Sequence, residues 1–329
     1  MKIKLLLLFL TGTILQSCMY QKADSIANKN IDQSLRNIIK AKNDSLFEAL
    51  SNSDKKVLTQ LGTPQFGKFL NARLGSVLWV FRGGVLETKY TVFDEYYNTH
   101  STVPDNSVIT NEDHGYTFTF QNNEKETYLS LLKFSRGGID DYLITVIYNR
   151  MGNDWKIEKV EGGQLGIYGK TAHDLFNEAK KYKQSKFPLD AWFYLDAANT
   201  FLHPAGKMLA YDQETKMGIY TPIWTNEVNS LYKFPYTLDN IDTQPAIHQI
   251  TCVKNPEGYY PLISYVTQVS VKDMPALSKE FEQIKNEIKK NYSTAMDFKK
   301  PYMYYRAYNL LPGSTQLGES FLIRDELVK

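Results

Sequence analysis

Residues 126–161 read ETYLSLLKFSRGGIDDYLITVIYNRMGNDWKIEKVE, three aromatic and β-branched runs divided by two turn signals. Arg136-Gly137-Gly138 and Met151-Gly152-Asn153-Asp154 are places where a chain reaches positive φ at little cost, so the stretch predicts an antiparallel meander. Within it Tyr128, Leu132 and Phe134 fall on one parity, Leu129 and Leu131 on the other. Apolar residues on both faces predict a sheet covered by helices on one side and by a partner or a pocket on the other.

Upstream, residues 31–50 carry Ile31, Leu35, Ile38, Ile39, Leu46, Phe47 and Leu50 at helical spacing, with a break expected at Asn43-Asp44-Ser45. A second helix, 54–61, ends at Gly62 and Pro64, and Phe66, Phe69, Leu70 and Leu74 continue a partly helical face. Residues 76–82 hold VLWVF and read as a strand, Gly83-Gly84 as a turn, and 85–97 as another strand. A polar loop is expected over 98–114, then an alternating strand over 116–120.

Short N-terminal helices, the long strand YLITVIYNR and a closing Asp154-Trp155-Lys156-Ile157 after a Gly-Asn turn resemble the NTF2-like (cystatin-like cone) fold over about residues 35 to 168. The resemblance implies a curved sheet wrapping helices around a cavity, which some members use for catalysis through Asp, His and Tyr and others for binding. No catalytic position of the family is matched here.

Downstream, Ala179, Tyr182, Phe187, Ala191, Leu195, Ala198 and Pro204 resemble a single tetratricopeptide-like hairpin, with Thr171 as cap of its first helix and Pro188 in the first turn of its second. One hairpin is not an array, so it is expected to buttress a domain junction. Residues 205–244 are too apolar for a linker. Strands over 246–253 and 259–271, a helix over 274–292 and strands over 302–308 and 320–324 complete an α+β domain. The expected class is α+β, divided into 1–17, 18–30, 31–170, 171–204 and 205–329.

The first of these is a leader: Lys2 and Lys4 precede the apolar run Leu5 to Leu15, which is shorter than the roughly 17 to 25 residues of a membrane span. Leu15-Gln16-Ser17-Cys18 resembles the lipobox of bacterial lipoproteins. That resemblance implies acylation of Cys18 and removal of residues 1–17. Met19 rather than Asp after the Cys resembles outer-membrane retention, and the following residues lack an acidic surface-export run, so the expected location is the outer membrane, facing the periplasm, with surface exposure as the alternative. Residues 18–30 read as a flexible tether. Asp24-Ser25-Ile26 and Asp44-Ser45-Leu46 resemble O-glycosylation acceptors of Bacteroidota, at Ser25 and Ser45.

With Cys18 acylated, Cys252 has no partner, so no disulfide is expected and stability must come from the core. Loss of Lys2 and Lys4 with the leader takes the formal charge from +2 to neutral, which argues against nucleic acid as a partner. No metalloprotease helix, phosphate-binding glycine loop, paired CxxC or nucleophile elbow is present, and no metal or cofactor is expected. His248 and Cys252, four residues apart on a regular strand, stand about 13 Å apart, too far for thiol activation. His173-Asp174 reads as a helix start. Glu158 is the candidate cavity acid, although alternation places it opposite Trp155 and Ile157 on the less apolar parity. Tyr96, Tyr97 and Tyr116, and Tyr302, Tyr304 and Tyr305, are candidate rims for a sugar or peptide groove, since tyrosine couples an apolar ring to a polar tip. The leading expectation is a lipid-anchored envelope protein that binds a partner or ligand noncovalently. A hydrolase using the cone cavity and a carbohydrate-binding module are the alternatives.

Overall fold

The computed structural model describes residues 24–81, 89–310 and 319–327; the expected leader, Cys18 and the turn expected at Gly83-Gly84 lie outside them. The chain opens with a short strand β1 (Asp24–Ala27) and three helices, α1 (Gln33–Ser51), α2 (Lys55–Leu61) and α3 (Pro64–Leu78). Each helix starts at a side-chain cap: Asp32 accepts from the backbone N–H of Ser34 and Leu35, Asp54 from Lys56 and Val57, and Thr63 from Phe66. Next come β2 (Thr91–Thr99), β3 (Asp105–Asn111), β4 (Tyr116–Asn122), β5 (Glu126–Arg136), β6 (Asp140–Met151), β7 (Asp154–Ile167) and β8 (Lys170–Thr171).

The 126–161 stretch forms β5, β6 and most of β7, at the centre of a six-stranded antiparallel sheet ordered β1-β2-β5-β6-β7-β8. Three bulges interrupt its registers, at Phe93 in β2 and at Glu158 and Leu165 in β7. Each adds one residue to one strand and sharpens its bend, which curls the sheet into a half-barrel. Tyr128, Leu132, Phe134, Ile144, Tyr148, Trp155, Ile157 and Val160 pack on α1–α3. Leu129, Leu131, Leu143 and Ile147 face the other way, toward a second cluster. That cluster is closed by α4 (Ala172–Gln184), α5 (Pro188–Thr200) and a small sheet in which β9 (Leu209–Tyr211) joins β4 and β3.

Beyond α6 (Glu214–Leu231) lies a second sheet, β10 (Tyr236–Thr237), β11 (Ala246–Asn255), β12 (Gly258–Val266), β13 (Tyr302–Tyr308) and β14 (Ser320–Glu326), neighbours in that order. β12 and β13 run parallel, joined through α7 (Met274–Tyr292), whose Leu277, Phe281, Ile284 and Ile288 enter the core beneath the sheet. The chain is therefore α+β: a curled antiparallel sheet on N-terminal helices, then further helices and a second sheet.

Several expectations are corrected. Residues 24–30 are not tether, because Asp24–Ala27 pairs with Tyr96–Thr99 of β2. VLWVF is the end of α3 and a 3-10 turn rather than a strand. The expected polar loop contains β3. α1 does not break at Asn43, whose buried amide donates to Ser130 Oγ and accepts from Tyr148 Oη. Residues 205–244, read as too apolar for a linker, do hold structure, α6, with Pro222 inside it. The strand expected to run to 271 ends at Val266.

Candidate functional site

α1 and β2 build a groove of about 810 Å³. The residues that α1 turns toward it, Gln33, Arg36, Asn37, Lys40, Asp44 and Glu48, recur at helical spacing, and Tyr90, Val92 and Glu95 form the facing wall. Nineteen residues of α1 make a wall about 28 Å long. Glu95 is buried, yet its carboxylate is satisfied: Arg36 Nε donates at 2.5 Å and Tyr128 Oη at 2.6 Å. Lys40 Nζ and Tyr90 Oη donate to Asp44, both at 2.7 Å. Burial works against the Asp44 charge, but the Lys40 and Tyr90 hydrogen bonds prevail and hold its carboxyl below the usual range. Burial and the Asp44 carboxylate push the Tyr90 hydroxyl up, so it stays a neutral donor.

A second polar cluster sits on the opposite face of β2. The bulge at Phe93 resets the strand so that Asp94 points inward, where it accepts from Asn28 Nδ2 (3.0 Å), Asn111 Nδ2 (3.2 Å) and Tyr116 Oη (2.7 Å). His114 Nδ1 lies 2.8 Å from the same carboxylate, and the imidazole stacks on Phe93 at 4.3 Å. The turn from β3 to β4 presents that histidine: Asn111 Oδ1 accepts from the His114 N–H at 3.0 Å. Gly115 follows at φ +61°, where a Cβ would strike the His173 ring, so only glycine fits. The Asp94 hydrogen bond raises the His114 pKa against its partial burial. An imidazole oriented by a buried carboxylate is the base half of a hydrolytic pair, but no hydroxyl or thiol joins its Nε2 in a described hydrogen bond.

The raised His114 pKa has a consequence for stability. A folded pKa above the ordinary value of about 6.5 gives stability that is complete below that value and is lost as pH rises through the folded pKa. Wild type minus His114→Gln, compared by urea midpoint from mildly acidic to mildly basic pH, is expected to shrink toward the basic end. An unchanged difference across that range counts against the coupling.

The candidates named from the sequence disperse. Glu158 is the extra residue of a bulge, and its carboxylate accepts from the α3 cap Thr63 at 2.9 Å. Tyr96 and Tyr116 are buried and share the Asp94 cluster, Oη to Oη 3.0 Å. Tyr97 points to the helix side, and burial with its hydrogen bond to Glu126 pushes its hydroxyl up to about 12. These three do not rim one groove. Tyr305 is core, whereas Tyr302 and the buried Tyr304 share the other face of β13 with Tyr260. Ser25 and Ser45 are exposed, on β1 and α1. Cys252 neighbours Tyr259, and burial pushes its thiol up, away from the thiolate that reactivity needs. Arg36, Tyr90 and Asp94 were not singled out from the sequence: α1's polar stripe reads as a solvated face until β2 is known to oppose it.

Among the described residues no cluster of His, Cys, Asp and Glu fits a metal ion, and no helix is long and apolar enough to cross a membrane. No known protein family, curated protein or solved structure matches the chain.

Proposed function

We propose that this is an envelope protein, anchored by lipid on Cys18 and built on an NTF2-like domain, that binds an uncharged oligosaccharide noncovalently between α1 and β2. The groove carries the reading: its volume of about 810 Å³ lies in the range of ligand sites. Three cations, Arg36, Lys40 and Lys89, balance three anions, Asp44, Glu48 and Glu95. Arg36 already faces Glu95 and Lys40 faces Asp44, so the groove offers a charged ligand no net attraction. The rest of the polar lining is amide and hydroxyl, from Gln33, Asn37, Asn52 and Ser51, with the Tyr90 ring beside them, a set that matches hydroxyl-rich, uncharged chains.

Titration with chitotetraose, maltotetraose and a hyaluronan tetrasaccharide tests this. A neutral tetrasaccharide at a hundredfold its Kd is expected to stabilise the fold by about 2.7 kcal/mol, Tyr90→Ala to weaken binding by tenfold or more, and hyaluronan to do neither. Preference for the charged sugar, or no binding by any, counts against the ligand class. The anchor is checked separately by intact mass: removal of residues 1–17 plus acyl mass, both abolished by Cys18→Ser.

A further inference from the structure

We propose that β3 is a self-pairing edge, through which two copies of this chain join their small sheets into one continuous six-stranded sheet. β3 ends the β3-β4-β9 sheet, with β4 on one side only. On its other side no loop or turn backbone hydrogen bond among the described residues reaches residues 105–111. Its seven residues hold unbroken register with β4, from Asp105 opposite Asn122 to Asn111 opposite Tyr116.

An open edge is a template for another strand, and proteins blunt such edges by brevity, lysine, proline, bulges or other charges. Every other sheet end among the described residues is blunted. β1 has four residues, β9 three, β8 and β10 two each. β14 is seven residues long but carries Arg324, Asp325 and Glu326. β3, DNSVITN, has neither bulge, proline nor basic residue, and its one acid, Asp105, sits at the end and pairs with His100.

The outward face is equally free of charge. Asn106, Val108 and Thr110 on β3 stand beside Gln121, Thr119 and Thr117 on β4, and Val108, 65% exposed, is the most exposed large apolar side chain among the described residues. Interface centres are depleted of charge in the same way.

The strand is also complementary to itself. A two-fold axis at Val108 sets Val108 against its own copy, Asn106 against Thr110, Ser107 against Ile109 and Asp105 against Asn111. No like charges meet, and the alternation is kept, so the buried residues Ser107 and Ile109 stay on the inner face of both copies. One strand edge is a small interface, so the dimer should form and dissociate with concentration.

Sedimentation velocity on the purified protein, in nonionic detergent where it carries lipid, reads this directly from micromolar to near-millimolar concentration. A rising dimer fraction is expected. Val108→Lys and Asn106→Lys, both at exposed positions that leave the fold intact, should each raise the dissociation constant tenfold or more, whereas Leu322→Lys on β14 should leave it unchanged. A monomer throughout the range overturns the proposal, and so does a dimer that survives both β3 lysines.

Discussion

Lys300→Met is expected to cost about 3–5 kcal/mol of stability, because it leaves the Asp190 carboxylate buried without its counter-charge. Asp190, in the first turn of α5, is 0% exposed and Lys300, just ahead of β13, 8%. Lys300 Nζ donates to Asp190 Oδ1 and lies 5.0 and 5.7 Å from the ring centres of Tyr182 and Tyr194. Asp190 Oδ2 accepts from the Asp297 backbone N–H at 2.6 Å. Burial opposes both charges: it raises the Asp190 pKa, and it would lower that of Lys300 but for Asp190, which leaves the ammonium raised. The pair ties the α4–α5 hairpin to the second sheet, so its loss should loosen that junction first. Asp190→Asn combined with Lys300→Met removes both charges while keeping an acceptor for Asp297, and should recover most of the loss. Urea unfolding of the two variants decides the matter: equal losses would mean that packing of the lysine stem, not charge, holds the junction.

The second large effect is expected at Asp94. Asp94→Leu removes the acceptor shared by Asn28, Asn111, His114 and the buried Tyr116 hydroxyl, leaving the Tyr116 hydroxyl and Asn111 Nδ2 only the Tyr96 hydroxyl as partner. An orphaned buried donor costs about 1–3 kcal/mol, so a loss in that range is expected across the network. Asp94→Asn keeps an acceptor and should cost less, yet it removes the charge that raises His114. The imidazole resonances of His114 should then titrate at lower pH than in wild type. An unshifted titration in Asp94→Asn would mean that another group governs His114, with Asp113 and Asp174 the other acids that raise it.

The central meander was legible because its signals are local. Gly137, Gly138 and Gly152 take positive φ at the two turns, and the apolar parities of β5 sort to opposite cores. The cap at Thr171 was readable for the same reason, since a cap needs only its own first turn. What failed depended on distant residues. VLWVF is a short apolar run that fits strand or helix equally, and its place under the curled sheet decides for helix. Asn43-Asp44-Ser45 looked like a break because nothing local shows that Ser130 and Tyr148 will satisfy Asn43. Strict alternation cannot register the bulge at Glu158, and that one added residue returns Val160 to the side of Trp155 and Ile157. Tyrosines read as candidate rims scattered between core and surface, since composition does not tell which of a ring's two ends meets water. The groove itself was invisible: its two walls are about 40 to 60 positions apart in the chain and meet only when β2 enters the sheet beside α1.

The pairing of β1 with β2 also sets how far the fold could stand from the lipid proposed on Cys18. With lipid on Cys18, six residue steps separate the membrane from Asp24 at the sheet's edge, at most about 20 Å of fully stretched chain. That is a short leash: the fold would ride against the lipid headgroups, its β1 edge inward, instead of swinging on a stalk. Its encounters would then be confined to a layer little deeper than the fold itself, and two copies diffusing in that layer would meet far more often than the same number of copies free in bulk.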